Sequence, residues 1–145
     1  MSTQQEGPNI DYSDSRRITV AQLVDLLRRS TLAERRLIED EACMAAMLKH
    51  ADILATAWDG ERLVGAARSL TDFAYCCYLS ELAVGSAYQH RGIGRALISL
   101  TESRLAPGTK VILLSAPAAV DYYPKIGFTG HPSEWTRAKR PKTFS

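Results

Sequence analysis

The chain has 145 residues, of which 46% are hydrophobic and 23% are charged, and its net charge at pH 7 is +2. This length predicts one globular domain with a buried core, and the composition excludes a globally disordered chain. The small net charge argues against a nucleic-acid partner. The N-terminus has no signal-peptide pattern and no run reaches the roughly 20 apolar residues of a membrane span, so we expect a soluble, cytoplasmic protein with no membrane partner.

The cysteines and histidines do not follow the pattern of a disulfide framework or of a metal site. There are three cysteines, two of them adjacent at Cys76 and Cys77, and the three histidines His50, His90 and His131 lie far apart. Structural zinc is bound by such residues at short, regular spacings, which this sequence lacks. The sequence therefore predicts free thiols and no bound metal.

The first third of the chain predicts an arm, a strand and two helices. Residues 1–15 are polar and contain Gly7 and Pro8, which predicts a flexible arm before a single domain over residues 16–145. A first strand is predicted at "RRITV". Thr19 and Gln22 then form the pattern of a capping box before the helix "VAQLVDLLRR". The stretch "LIEDEACMAAMLKHA" predicts a second helix because it is rich in helix-forming residues.

After Asp52 the pattern changes from helices to strands. A hairpin is predicted for "DILATAW" and "RLVGAARSL", joined by a turn at Asp59 and Gly60. The remaining elements are predicted in this order: a strand at "FAYCCYLSELAV", a loop at "GSAYQHRGIG" and a helix at "RALISLTESRLA". These are followed by a strand at "VILLSA", a short helix at "PAAVDYY" and a last strand after "GF". This order predicts an α+β fold, with a central mixed, mostly antiparallel sheet flanked by helices and one β-α-β crossover.

The loop before the third long helix has the pattern of a phosphate site. In "QHRGIGRAL", residues 89–97, a helix that begins near Gly92 has unpaired amide N–H groups and a positive dipole end, and Gly94 keeps the backbone accessible. A tight strand-to-helix turn with no ligand explains the same glycines. A dinucleotide-binding Rossmann fingerprint is excluded, because Leu97 occupies the place of its third glycine.

Two motifs together resemble a known enzyme family. The stretch "LAVGSAYQHRGIGRALI" resembles the coenzyme A signature of the GCN5-related N-acetyltransferases (GNAT), Gln/Arg-x-x-Gly-x-Gly/Ala, which Gln89, Gly92 and Gly94 match. Downstream, "AAVDYYPKIGF" is similar to the second motif of that family. The resemblance covers residues 51–128 and implies a GNAT-like fold, acetyl-CoA as cofactor, and acetyl transfer to a primary amine of a small molecule or a protein.

The resemblance also implies roles for individual residues. Backbone groups of the strand before the loop would pair with the acetyl and pantetheine part of the cofactor, and the loop would hold its pyrophosphate. The implied cofactor-binding residues are Leu82, Ala83, Val84, Gln89, His90, Arg91, Gly92, Ile93, Gly94 and Arg95. Tyr123 is the implied general acid, because coenzyme A leaves as a thiolate that a nearby phenol can protonate.

The general base is not fixed by the sequence. Glu81 is the candidate carboxylate, yet strand alternation places it on the opposite face from Tyr78 and Leu82 unless a β-bulge intervenes. Water relayed to a backbone carbonyl or to Asp72 is the alternative. No Cys–His nucleophile is apparent, which favours direct attack in a ternary complex over an acyl-enzyme.

Two departures from the family pattern keep other functions open. Ala116 stands where relatives often have Asn, and Pro124 directly follows Tyr123, so we expect the short helix to end at Tyr123. A non-catalytic acyl-CoA-binding or regulatory module is the second hypothesis, and an interaction domain whose glycine-rich turn binds nothing is the third. The acceptor amine and the oligomeric state, including a homodimer, are left open.

Overall fold

The computed structural model describes residues 9–30, 38–116 and 119–139. The chain divides into two compact units, Met1–Leu114 and Ser115–Ser145. Among the described residues, the first unit contains a five-stranded sheet and three α-helices, and the second contains one short α-helix. Within the described ranges, no helix is both long and apolar enough to cross a bilayer.

The first two helices begin at side-chain caps. Helix α1, Val20–Ser30, follows the predicted capping box, which is confirmed: the Gln22 amide donates to Thr19 Oγ1 at 3.0 Å and the Thr19 amide donates to Gln22 Oε1 at 2.9 Å. Helix α2, Glu41–Lys49, starts later than predicted, because the Asp40 carboxylate accepts from the Cys43 amide at 3.0 Å and so caps the helix there. Residues 31–37 lie outside the described residues.

The sheet is mixed and mostly antiparallel, as the sequence predicts. Its strands occur in the order β1-β2-β3-β4-β5, with antiparallel pairing up to β4 and parallel pairing between β4 and β5. The predicted hairpin is confirmed, and Gly60 in its turn has φ +62°. The strand bounds are Asp11–Ser13, Ile53–Asp59, Arg62–Thr71, Cys76–Val84 and Lys110–Ile112.

The predicted first strand at "RRITV" is wrong. Strand β1 lies at Asp11–Ser13, inside the segment predicted as an arm, and pairs with β2 so that Ser13 lies opposite Thr56. A three-residue, largely exposed edge strand carries no apolar alternation that a sequence could reveal. Residues 1–8 of the predicted arm lie outside the described residues.

The end of the chain also differs from the prediction. Helix α4, Tyr122–Lys125, continues beyond Tyr123, because Pro124 lies in the first turn, where a backbone N–H has no helical partner to lose. The predicted last strand is absent from the described residues 128–139. Gly130 and Pro132 lie in this segment, and both disfavour strand structure.

Helices cover both faces of the sheet in the first unit. Helix α3, Ile93–Glu102, packs against Gly65 of β3, where an added Cβ would lie 3.1 Å from both Ile93 and Leu97. The neighbouring Ala66 belongs instead to a core shared with the first two helices. Adjacent strand residues point to opposite faces, so α3 lies on one face and α1 on the other. Members of that core are Leu23, Leu26, Leu27, Met44, Trp58, Leu63, Ala66 and Ala83.

Candidate active site

Strand β4 has one edge that is only partly paired. Its pairing with β3 extends from Cys77 to Val84, whereas its pairing with β5 covers only Cys76 to Tyr78. Among the described residues, the β5-facing edge of β4 is therefore open from Leu79 to Val84. An open edge presents a row of backbone N–H and C=O groups that an extended ligand can join as a further strand.

The register of β3 and β4 shows which backbone groups face this open edge. The Gly85 amide donates to the Val64 carbonyl at 2.9 Å, so this pair is hydrogen-bonded across the ladder. Hydrogen-bonded and non-hydrogen-bonded pairs alternate in an antiparallel ladder. Val84 and Leu82 are then non-hydrogen-bonded partners of β3, and their N–H and C=O groups point towards the open edge. They are two of the three β4 residues that the family resemblance assigns to the cofactor.

Beyond β4 the chain forms a 3₁₀ helix, Ser86–Tyr88, and then the glycine-containing loop. Two side chains anchor this connection. The Tyr88 hydroxyl donates to the Asp59 carboxylate at 2.5 Å, and Gln89 Nε2 donates to the Val84 carbonyl at 3.1 Å. The hydrogen bond to Asp59 raises the pKa of Tyr88 above its usual value. The loop is thus tied both to the β2–β3 hairpin and to the end of β4.

The loop ends in two left-handed residues at the start of α3. His90 has φ +66° and Gly92 has φ +81°, and a Cβ at Gly92 would meet no atom within 4 Å. The first amide with a helical acceptor is that of Ala96, which donates to the Gly92 carbonyl at 3.0 Å. The preceding amides of the first turn are the ones that an α-helix leaves without an internal partner. Left-handed turns followed by such amides form an anion-binding concavity, so these residues fit a phosphate group.

Basic side chains surround this helix start. His90, Arg91 and Arg95 are exposed, and the Arg91 guanidinium lies 5.3 Å from the centroid of the Tyr88 ring. Gly94 and Ile93 are buried in the first turn of α3. Positive charge beside the positive end of a helix dipole strengthens attraction for an anion. The structure therefore brings the loop residues assigned to the cofactor together with the open edge of β4 in the first unit.

Tyr123, the predicted general acid, lies in the second unit. It is half-buried in α4, and its ring contacts Tyr122 and Phe128 edge to face, with centroids 5.2 Å and 5.5 Å apart. The Phe128 amide donates to the Tyr123 carbonyl at 3.0 Å, which closes the turn after the helix. Tyr122 is more exposed than Tyr123.

Strand alternation fails around Glu81 because β4 contains a bulge. Arg68 lies opposite Glu81 and Ser69 lies opposite Leu79, so Ser80 is an extra residue on β4. Leu70, two residues after Arg68, lies opposite Tyr78. Glu81 and Tyr78 therefore share a face, which is the arrangement that the sequence analysis expected if a β-bulge intervened.

The Glu81 carboxylate is buried in an ion pair. Its side chain is 5% exposed, and its Oε1 accepts from Arg68 Nε. The Ser80 hydroxyl donates to Glu81 Oε2 at 3.1 Å. Both carboxylate oxygens are thus engaged within the protein, whereas a general base must reach the proton of a substrate. The sequence missed this pairing, although Arg68 was visible as a lone charge in the apolar run of β3.

Asp72, the alternative relay for the proton, closes the β3–β4 turn. Its Oδ1 accepts from the amides of Tyr75, Ala74 and Cys76 at 2.8, 3.0 and 3.2 Å. These hydrogen bonds lower the pKa of Asp72 below its usual value, and the bond from the Tyr75 amide has the largest effect. A carboxylate with a lowered pKa is a weaker base, so the contacts of Asp72 favour a structural role.

Among the described residues, no group of three or more His, Cys, Asp or Glu side chains is placed to hold a metal ion.

The family resemblance implies that this loop binds acetyl-CoA, and on that expectation removing the Tyr88 hydroxyl should weaken the binding several-fold. Tyr88→Phe removes the bond to Asp59 that fixes the 3₁₀ helix before the loop, and calorimetric titration measures the result. The tyrosine pKa is raised in the folded state, so the bond is present below the usual value of 10.0 and is lost only as the pH rises through the raised pKa. Affinity that depends on this bond should therefore be constant around neutral pH. Tyr75→Phe, at a side chain that is 78% exposed, is the control, and equal affinities for the two variants would contradict the anchoring role.

The sequence matches the family model of the acetyltransferase (GNAT) domain over residues 26–139. A solved structure of a protein from meticillin-resistant Staphylococcus aureus is similar with TM-score 0.75 at 17% identity, covering 92% of this chain and 100% of that one. A GNAT-family acetyltransferase from Streptococcus pneumoniae is similar with TM-score 0.64 at 18% identity, covering 90% of this chain and 100% of that one. An aminoglycoside acetyltransferase from an uncultured soil metagenomic sample, in complex with sisomicin, is similar with TM-score 0.62 at 18% identity, covering 92% of this chain and 96% of that one. None of the curated proteins matches significantly.

Proposed function

The chain belongs to the GNAT family of acetyltransferases, and on that premise we propose that it transfers the acetyl group of acetyl-CoA to a primary amine by direct attack in a ternary complex. Bound acetyl-CoA supplies an activated thioester. The protein holds this donor, orients the amine towards it and provides the proton for the departing thiolate. Holding two reactants in the reactive geometry by itself raises the reaction rate by several orders of magnitude.

The observation that supports the donor site best is the continuity of the open β4 edge with the start of α3. The backbone groups of Leu82 and the Val84 N–H face this edge, while the Val84 carbonyl accepts from Gln89. The strand leads through the loop anchored in this way to the first turn of α3 at Gly92, which has no side-chain cap. An extended pantetheine arm fits such an edge, and a pyrophosphate fits such a helix start. Ala83 contributes differently: its side chain is buried in the core on the α1 face.

Three proton transfers accompany the reaction. We assign Tyr123 as the donor to the departing thiolate, because a phenol is a suitable acid for a sulfur anion. The nitrogen of the tetrahedral intermediate then returns a proton to the Tyr123 phenolate. The attacking amine must be neutral, so the ammonium form of the substrate first loses a proton to an acceptor. The burial of Glu81 and its pairing with Arg68 favour solvent water over this carboxylate as that acceptor.

The experiment has two steps. Acetyl-CoA should raise the melting temperature of the protein, because a ligand that binds only the folded state stabilises it. Release of free thiol is then followed with a panel of amines: an arylalkylamine, an aminoglycoside and a peptide with a free N-terminus. The proposal predicts thiol release that depends on one of these amines. An unchanged melting temperature, together with no release, would refute it.

A non-catalytic acyl-CoA-binding module is the second candidate, and the buried state of Glu81 favours it because no exposed carboxylate of β4 replaces this residue. The same two measurements separate the candidates. Stabilisation by acetyl-CoA without thiol release from any amine would support the binding module. Stabilisation with amine-dependent release would support the enzyme.

A further inference from the structure

Arg68 is the centre of a buried polar cluster, which we call the Arg68 cluster: Arg68, Ser80, Glu81 and the carbonyl of Met47. All three guanidinium nitrogens of Arg68 are engaged. Nε donates to Glu81 Oε1, Nη2 donates to Ser80 Oγ at 3.0 Å, and Nη1 donates to the Met47 carbonyl at 3.4 Å. The Ser80 hydroxyl in turn donates to Glu81 Oε2, so the three side chains form a closed ring of hydrogen bonds.

This ring lies on the bulge of β4. Ser80 is the extra residue that the bulge inserts, and Glu81 is the first residue after it. A bulge bends its strand and re-aims the residues beyond it. The residues beyond it are those whose backbone faces the open edge, beginning with Leu82. The ring therefore lies within the open edge of β4, directly before Leu82.

The burial of the ring argues against stability as its main role. The side chains of Arg68 and Glu81 are 10% and 5% exposed. The free energy needed to remove two charges from water is about as large as the free energy that their attraction provides. A protein with an apolar pair of similar volume in their place is often as stable or more stable. A buried, fully hydrogen-bonded ion pair does, however, fix one geometry, because any displacement leaves a charge without a partner.

We propose that Arg68 is a positioning residue for the donor: through Ser80 and Glu81 it holds the β4 bulge so that the Leu82 backbone meets the thioester end of acetyl-CoA. This inference rests on the proposed function. The contact with Met47 at the end of α2 adds a third fixed point, because a cation is favourable beside the carbonyls of a helix C-terminus. Arg68 then acts through other residues and touches no reacting atom.

The test compares the wild-type protein with the double variant Arg68→Met/Glu81→Leu, which replaces the ion pair by apolar side chains. We expect a melting temperature equal to or above that of the wild type. Backbone hydrogen exchange measured by NMR with saturating acetyl-CoA and no amine reports binding without acetyl transfer. In the wild type, acetyl-CoA should slow exchange at Leu82 and at Gly94. In the double variant, the slowing at Leu82 should fall by at least about ten-fold while that at Gly94 persists.

Each outcome of this comparison decides one point. Equal slowing at Leu82 in both proteins would overturn the positioning role and leave the proposed function standing. Absence of slowing at both Leu82 and Gly94 in the wild type would contradict the proposed donor site, and with it this inference. If the double variant does not fold, Arg68→Lys replaces it in the test. Lysine keeps the positive charge but lacks the planar guanidinium group whose several N–H donors bind Glu81, Ser80 and Met47 together. Undiminished slowing at Leu82 in that variant would likewise overturn the role.

Glu81→Gln separates positioning from base catalysis. Glutamine retains an oxygen for Arg68 and has nearly the same shape, but it accepts no proton. Because Arg68 then keeps a buried charge without its counter-ion, the positioning role predicts a lower melting temperature and weaker slowing of exchange at Leu82, with an unchanged pH profile of kcat. A fall of about 10²–10⁴-fold in kcat, with loss of the acidic limb of the profile, would show that Glu81 is the base and contradict a purely positioning ring. Arg28→Met, at an exposed ion pair with Glu39, is the control and should change none of these quantities.

Discussion

Tyr123→Phe is expected to lower kcat by about 10²–10⁴-fold, the usual contribution of a positioned general acid. The phenol hydroxyl is the group that would protonate the departing thiolate, whereas the ring, which contacts Phe128, is kept by the substitution. The affinity for acetyl-CoA should therefore change little. Thiol release at saturating concentrations of both substrates measures kcat, and calorimetric titration measures the affinity.

Tyr122→Phe is the matched control for this prediction. The two tyrosines are neighbours in α4, and their rings contact each other with centroids 5.2 Å apart. A local disturbance of the helix would affect both variants alike, whereas loss of an acid affects one. If the two substitutions lower kcat equally, or if Tyr123→Phe turns over normally, Tyr123 is not the acid and water supplies the proton.

Gly94→Glu is expected to abolish measurable binding of acetyl-CoA. Gly94 is buried in the first turn of α3, next to the amides that would hold the pyrophosphate. A glutamate fills this space and adds a negative charge that repels the phosphates. The fold should persist, because a carboxylate near a helix N-terminus is favourable. Calorimetric titration with acetyl-CoA measures the loss, and circular dichroism checks the fold.

Ser99→Glu is the control in the same helix. It adds the same charge at an exposed position one and a half turns further on, away from the first-turn amides. Its affinity for acetyl-CoA should equal that of the wild type. Unchanged affinity in Gly94→Glu, with a normal circular dichroism spectrum, would show that the start of α3 does not bind the pyrophosphate.

The elements that the sequence predicted well depend on local interactions. The capping box of α1 joins Thr19 and Gln22 across one turn, and the β2–β3 hairpin depends on the two residues Asp59 and Gly60. The glycine-containing loop was also readable, since Gly92 adopts the left-handed conformation that its residue type permits. In each case the physical cause lies within a few residues of the pattern.

The features that the sequence did not reveal depend on contacts between distant segments. The bulge of β4 follows from its register with β3, and that register places Arg68 opposite Glu81 across thirteen positions of sequence. Alternation within one strand gives the wrong face for Glu81, because no local signal marks the extra residue Ser80. Strand β1 was missed for a similar reason: it forms by pairing with β2, which is distant in sequence.

The measurement that tests the central claim most directly is the initial rate of thiol release, with mass-spectrometric identification of the acetylated amine, while acetyl-CoA and the amine are varied together. Direct attack in a ternary complex predicts an N-acetylated product and double-reciprocal lines that intersect, because both substrates must be bound before the thiol leaves. Parallel lines would indicate an acyl-enzyme and contradict the proposed mechanism. Thiol release without any acetylated amine would contradict the proposed transfer itself.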